Sequence, residues 1–312
     1  MGTGTVAAQA VEVLAEDVWR ERARRHEERV DALTADHVRR RRTGERHPVE
    51  DFLFTYYNLR PSRMRRWYPG VGTVLAGEGA RERLSERFAA DAPEGVGLDA
   101  AGFLSARPVV GFVEGLLSAV ASRPAHLGCF GLHEWAMVYR TREVRHGQVP
   151  LRLGAEGTDR VVESHRIRCS HFDAFRFFTG PARPLNTLQP TREAQVDLDQ
   201  PGCLHANMDL YKWAYKLSPA VPSELVVDCF ELSREIRELD MRASPYDLSE
   251  WGYAPVRIET AEGKAEYMRR QEAFAERGAV LRKRLLDVCR ALRTAAGQRS
   301  GGTPETVPPG GR

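Results

Sequence analysis

The chain has 312 residues, 42% of them hydrophobic, and a formal net charge of +3, so it is long enough to bury a sizeable core. No run of eighteen apolar residues occurs, and the opening MGTGTVAAQAVEVLAEDVWRERARR lacks the charged-then-apolar order of a secretory leader; a cytoplasmic protein with no membrane partner is expected. Five cysteines without CxxC spacing argue against a disulfide framework and a zinc ribbon, and reduced thiols are expected.

Residues 7–42 contain no proline and carry apolar residues at Val11, Leu14, Val18, Val30 and Leu33, which predicts a long, charged helix or helix pair. We read residues 1–46 as a charged N-terminal helical arm, 47–290 as a single compact domain and 291–312 as a disordered, Gly- and Pro-rich tail. HPVEDFLFTYYNLRP (47–61) predicts a buried helix between two prolines. LRPSRMRRWYPG (59–70) sets Arg60, Arg63, Arg65 and Arg66 beside Trp67 and Tyr68, a mixture that would neutralise phosphates and stack bases; a solvated face laced with Glu27, Glu28 and Asp31 accounts for it equally simply. A helix is expected over 80–90, and VVGFVEGLLSAVASRP predicts another ending at Pro124.

From Leu127 the pattern changes. CFGLHEWAMVYR, VPLRLG and RVVESHRIRC carry β-branched and aromatic residues, with a turn-like REVRHGQ between the first two, so a small central antiparallel meander is expected. The fold class read from this order is α+β, mostly helical. SHFD places Ser170 and Asp173 at capping-box spacing. The stretch 182–203 reads as a long polar loop. LHANMDLYKWAYKL and SELVVDCFELSREIRELDMR follow as two strong helices.

The chemistry-bearing residues fall in three clusters. Read as a strand, residues 163–173 (ESHRIRCSHFD) put Glu163, His165, Cys169, His171 and Asp173 on one face, donor types that suit zinc, copper or iron; satisfied side chains of an ordinary strand remain the alternative. In GCLHANMDLYKWAYKL a helical stripe joins His205, Asp209, Lys212 and Lys216, with Cys203 just before it and Trp213 on an apolar stripe. In FGLHEWAMVYR, Met137 replaces the second histidine of a zinc-protease HExxH, so His133 is only a candidate ligand. Alternation places His133 with Trp135 and turns Glu134 the other way, as a candidate general acid or base. The helix from Ser223 carries Asp228, Glu231, Glu235 and Glu238 on one flank; the Glu-x-x-His that a di-iron bundle would add to it occurs only at Glu143 and His146, inside the turn-like REVRHGQ rather than in a helical pattern. GxGxxG after a strand, GxxxxGK[ST] and GxSxG are absent.

Taken together, HPVEDFLFTYY, CFGLHEWAMVYR, IRCSHFDAFRFFT, GCLHANMDLYKWAYKLSP, CFELSREIRELDMRASPYDL and PVRIETAEGKAEY resemble a family of actinobacterial proteins labelled 3-methyladenine DNA glycosylase, over roughly residues 10–285. The resemblance implies base excision repair: an alkylated purine flipped from DNA and its N-glycosidic bond hydrolysed, with DNA as partner and no cofactor. That chemistry asks for stacking aromatics, a carboxylate and a basic surface. Trp67, Tyr68, Trp135 and Trp213 would stack, Glu134 or Asp209 would act as the carboxylate, and Arg60, Arg63, Arg65 and Arg66 would hold phosphates. The rival reading is a metal- or haem-dependent oxidoreductase acting on a small molecule, with iron, haem, zinc or copper held among His133, His165, Cys169, His171, Asp173, Cys203 and His205. A third is a non-enzymatic DNA-binding protein.

Overall fold

The computed structural model describes residues 11–141 and 148–300. Strand β1 (Glu12–Leu14) leads into α1 (Glu16–Thr43), which Gly44 closes in the left-handed conformation (φ 76°) while Arg40, Arg41 and Arg42 complement the dipole of its last turn. Short helices α2 (Phe52–Tyr56) and α3 (Pro61–Met64) precede β2 (Thr73–Leu75), α4 (Glu78–Arg81), β3 (Ala89–Ala92) and β4 (Gly95–Leu98). Then come α5 (Ala100–Ala106), α6 (Val109–Ala121), α7 (Leu132–Ala136), α8 (Gly154–Glu163), α9 (Phe172–Phe175) and α10 (Gln195–Leu198). Three long helices finish the fold: α11 (Leu204–Lys216), α12 (Ser223–Arg242) and α13 (Ala261–Ser300).

The α+β, mostly helical class holds, but the sheet is built from other segments than the sequence suggested. Its order is β1-β2-β4-β3, with β1 parallel to β2 (Leu14 opposite Leu75) and the β3–β4 hairpin antiparallel; it is therefore mixed, not antiparallel. It packs with α1 over a small core of its own, formed by Leu14, Trp19, Trp67, Leu75, Ala80 and Val96. The expected meander from Leu127 is absent among the described residues. CFGLHEWAMVYR folds around α7, RVVE ends α8, and the segments make only isolated bridges, Leu151 to Tyr246 and Ile167 to Asn186. β-propensity reports fit to a half-buried pleat, and here the same aromatic and branched side chains are buried from helical turns instead. Most of REVRHGQ lies outside the described residues.

Other expectations are changed or refined. The helix over 80–90 stops early, passing through a short 3-10 turn (Glu82–Ser85) into β3. The charged N-terminal helix is docked: Val30 is buried in the main core, and Arg29 pairs with Asp228 and Glu231 of α12. Residues 291–300 continue α13, which has no proline to stop it; residues 301–312 lie outside the described residues. The predicted helix in 47–61 shrinks to α2, and the 182–203 loop contains α10.

The main core lies where α11, α12 and α13 meet α5 to α7, around Phe103, Leu116, Trp135, Tyr211, Phe230 and Leu285. α13 comes close enough to α11 that a Cβ at Gly278 would overlap Asn207 Oδ1, so glycine is required there. Asn207 in turn accepts from the buried Arg282 at 2.7 Å. Buried polar groups with partners of this kind continue from this contact into the centre of the bundle.

Candidate functional site: a buried histidine and aspartate centre

A sharp turn sets up the first part of the site. Phe130 (φ 49°) and Gly131 (φ 70°) both take left-handed conformations, unusual for a phenylalanine. They redirect the chain into α7, whose single turn buries His133 and Glu134 side by side. His133 Nε2 is 2.8 Å from Asp240 Oδ1 on α12, and its Nδ1 is 3.5 Å from Cys129 Sγ. Arg237, one turn before Asp240, donates from Nη1 to Glu134 at 2.8 Å and to Asp240 Oδ2 at 3.1 Å. Its Nε and Nη2 are buried without partners, and its guanidinium lies 3.9 Å over Phe52.

The second part is parallel in design. His171 Nδ1 is 2.9 Å from Asp199, which also accepts from Gln195 at 3.0 Å, and His171 Nε2 points toward Asp209 at 3.9 Å. Asp209 accepts from Tyr57 at 3.0 Å and from Lys212 at 2.7 Å, and the same ammonium reaches Asp173 at 3.3 Å. His205 links the halves, edge-on to His133 (centroids 4.6 Å) and nearly parallel to His171 (5.5 Å).

Burial and charge tune each group. Burial alone would lower the His133 pKa, but the Asp240 carboxylate holds it well above the usual histidine value; Asp199 does the same for His171. His205 has no such partner among the described residues, and burial together with the His133 charge drives its pKa well below 6.5. Burial raises the Cys203 thiol and pushes Cys169 up to about 12. Both remain protonated and unreactive at neutral pH.

A cavity of about 560 Å³ reaches this centre from outside, lined by Cys129, His133, Cys169, Cys203, His205 and Tyr267 within and by Arg123, His126, Arg168 and Asp197 nearer its rim. On the other side of His205 lies a void of about 30 Å³ bounded by Glu134, Asp173, Tyr56, Phe52 and Arg237. The nitrogens and carboxylate oxygens of His133, His205 and Asp240 lie within 4.8 Å of one another, as do those of His171, Asp173 and Asp209. Ligands around one zinc or iron ion sit about 3–3.5 Å apart, so the first group would have to close around an ion. In the second, the Lys212 ammonium already occupies the position of a cation.

The sequence candidates separate clearly. Glu134, Asp209, His133, His171, Asp173 and His205 come together, and Cys169 and Cys203 line the cavity without closing on either group. His165 stays outside: its Nδ1 is 2.7 Å from Val161 O, and the strand face assumed for it does not exist. Trp67 and Trp135 are core residues, bonded through Nε1 to Glu224 and to Ala243 O. Trp213 is 5% exposed and faces Phe112 and two lysines, so none of these three offers an open face for stacking. Tyr68 is half-buried against Arg83 and Arg66. Arg65 pairs with Glu27 and Asp31 and Arg66 with Glu86, while Arg60 and Arg63 are exposed without ion pairs among the described residues.

Asp199, Arg237 and Asp240 were missed from sequence. A signal existed for two of them: Ser233, Arg237 and Asp240 follow four-three spacing beside the core stripe of α12, a polar row on a face that has to be buried. Compared with models of known families, with curated proteins and with solved structures, the chain matches none.

Proposed function

We propose that the protein is a metal-dependent enzyme whose divalent ion is held by His133, His205 and Asp240, acting on a small molecule that enters through the 560 Å³ cavity. The observation that carries this reading is the convergence of His133, His205 and Asp240, whose donor atoms lie within 4.8 Å of one another beside the cavity. Glu134, Asp199, Asp209 and Asp240 are all buried, against only Arg237 and Lys212 as permanent cations of the cluster. Buried carboxylates need compensation; protonated His133 and His171 supply it in the ion-free protein, and a divalent ion would take the place of the His133 proton.

His205 supports the ion. It is a buried imidazole that lines the cavity and that burial keeps neutral, the state in which histidine ligates. Two imidazoles and a carboxylate suit non-haem iron or zinc, which would activate a bound water or polarise a substrate oxygen. A bare ion rather than haem is favoured because charged and amide side chains line the outer cavity, where haem wants apolar walls. Glu134, aimed into the adjoining void and held by Arg237, is placed for proton transfer. The five free cysteines accord with a cytoplasmic location. Elemental analysis of freshly purified protein tests the reading. It expects about one zinc or iron per chain, lost in His205→Gln; a metal-free wild type that still turns over substrate would overturn it.

A second reading, excision of 3-methyladenine-type bases from DNA, rests on the family resemblance. The observation that favours it is a basic groove of about 740 Å³ lined by Arg41, Arg46 and Arg60, with Arg63 exposed close by in sequence. Release of methylated base from alkylated duplex by the wild type, abolished in Glu134→Gln or Asp209→Asn, would support it. No release by wild-type protein would dismiss it.

A further inference from the structure

Arginines on this protein are usually paired: Arg65 with Glu27 and Asp31, Arg277 with Glu235, Arg284 with Asp228, Arg293 with Glu114. The cavity wall is an exception. Arg168 is exposed there and, among the described residues, makes neither an ion pair nor a hydrogen bond. Arg123 spends one nitrogen on the backbone carbonyl of Asp199 at 2.9 Å and meets no carboxylate. Asp197 lines the same wall yet pairs with neither. His126 lines the same cavity.

A second feature lies deeper. Tyr267 lines the same cavity, and its buried hydroxyl makes no hydrogen bond of ordinary geometry among the described residues, with the Gly131 backbone beside it. A buried hydroxyl without a partner is costly unless something supplies one. Two unpaired guanidiniums on the wall of a concave site, with an unsatisfied donor inside, form the complement of an anion with polar substituents.

We propose that the cavity binds a small molecule carrying a phosphate or carboxylate group, which Arg123 and Arg168 grip, while Tyr267 Oη hydrogen-bonds the part that reaches toward His205. This deepens the metal-dependent reading by naming the substrate class of the same cavity. It is tested without relying on turnover.

Cys129 is the half-buried thiol of this cavity and serves as a reporter. Its alkylation by iodoacetate, an anion, and by iodoacetamide, a neutral analogue, is followed by mass spectrometry of the Cys129 peptide. Dividing the two rates cancels the reactivity of the thiol itself. The wild type is expected to favour iodoacetate roughly tenfold more than glutathione does; Arg168→Ala should reduce that preference and Arg168→Glu reverse it. Inorganic phosphate or malonate should protect against iodoacetate, and whichever protects better identifies the anion class. Tyr267→Phe should weaken that protection without lowering the melting temperature, since the hydroxyl it removes makes no hydrogen bond of ordinary geometry among the described residues. A ratio equal to that of glutathione, a ratio indifferent to Arg168→Glu, or no protection by either anion would overturn the proposal. Metal content measured on the same samples separates its failure from failure of the metal centre.

Discussion

The His133 ring stands edge-on to the His205 ring, 4.6 Å between centroids and 83° between planes, yet the two imidazoles are pushed in opposite directions of protonation. Asp240 keeps His133 cationic, and that cation, with burial, keeps His205 neutral. In the ion-free protein one ring is thus a cation and the other an available base or ligand, and an ion bound by both would have to displace the His133 proton.

Replacing His205 separates those roles. Its folded pKa lies well below the unfolded 6.5, so the unfolded chain takes up a proton that the folded metal-free chain does not. His205 therefore costs stability as pH falls below 6.5. His205→Gln should remove metal binding yet leave the metal-free protein at least as resistant to urea as the wild type at pH 5; a less resistant variant would show that the imidazole is a structural support instead.

Asp240→Asn should be severely destabilising. The carboxylate is fully buried and serves both His133 and Arg237, and breaking a buried pair by removing one partner costs about 3–5 kcal/mol. Urea unfolding of the metal-free protein measures it, and a loss below about 1 kcal/mol would contradict the charge assignment.

Lys212 gives the pH signature of the second cluster. Burial lowers its pKa but Asp209 outweighs this, so its folded value is raised above 10.5; that stability is fully present below 10.5 and is lost as pH rises through the folded value. Asp173 is raised by burial but lowered further by Lys212, so its contribution is present above 3.8 and fades as pH falls through its depressed folded value. Lys212→Met should thus cost about 3–5 kcal/mol between these limits, with the gap to wild type narrowing toward acid and strong alkali. A gap that does not vary with pH would mean that the loss is one of packing.

Trp135, read from sequence as a stacking residue, should behave as core. It is fully buried and its Nε1 donates to Ala243 O at 2.9 Å. Trp135→Ala should lose about 3–5 kcal/mol, measured by denaturant titration. Loss of activity at unchanged stability would return the residue to the site.

What the sequence made legible were the long periodic elements and the residues on them. The polar stripe of α11 exists as drawn, with Asp209 and Lys212 paired at 2.7 Å and His205 facing the cavity. The carboxylates on the flank of α12 proved to be a solvated, ion-paired face, but their partners Arg29, Arg277 and Arg284 come from α1 and α13, contacts between helices that periodicity on one helix does not report. The short elements were misread. α7 is a single turn between left-handed Phe130 and the bends that follow, too short for a 3.6-residue period to stand out from alternation. Asp199 reaches His171 from the 182–203 segment, where no periodicity exists to mark a buried residue.

The central claim is most directly tested by anomalous scattering from crystals of the protein as purified, recorded at the iron and zinc absorption edges. The account predicts one peak between His133, His205 and Asp240, absent from crystals of His205→Gln. A featureless site in metal-replete crystals, or a peak held by the cavity cysteines instead, would contradict it.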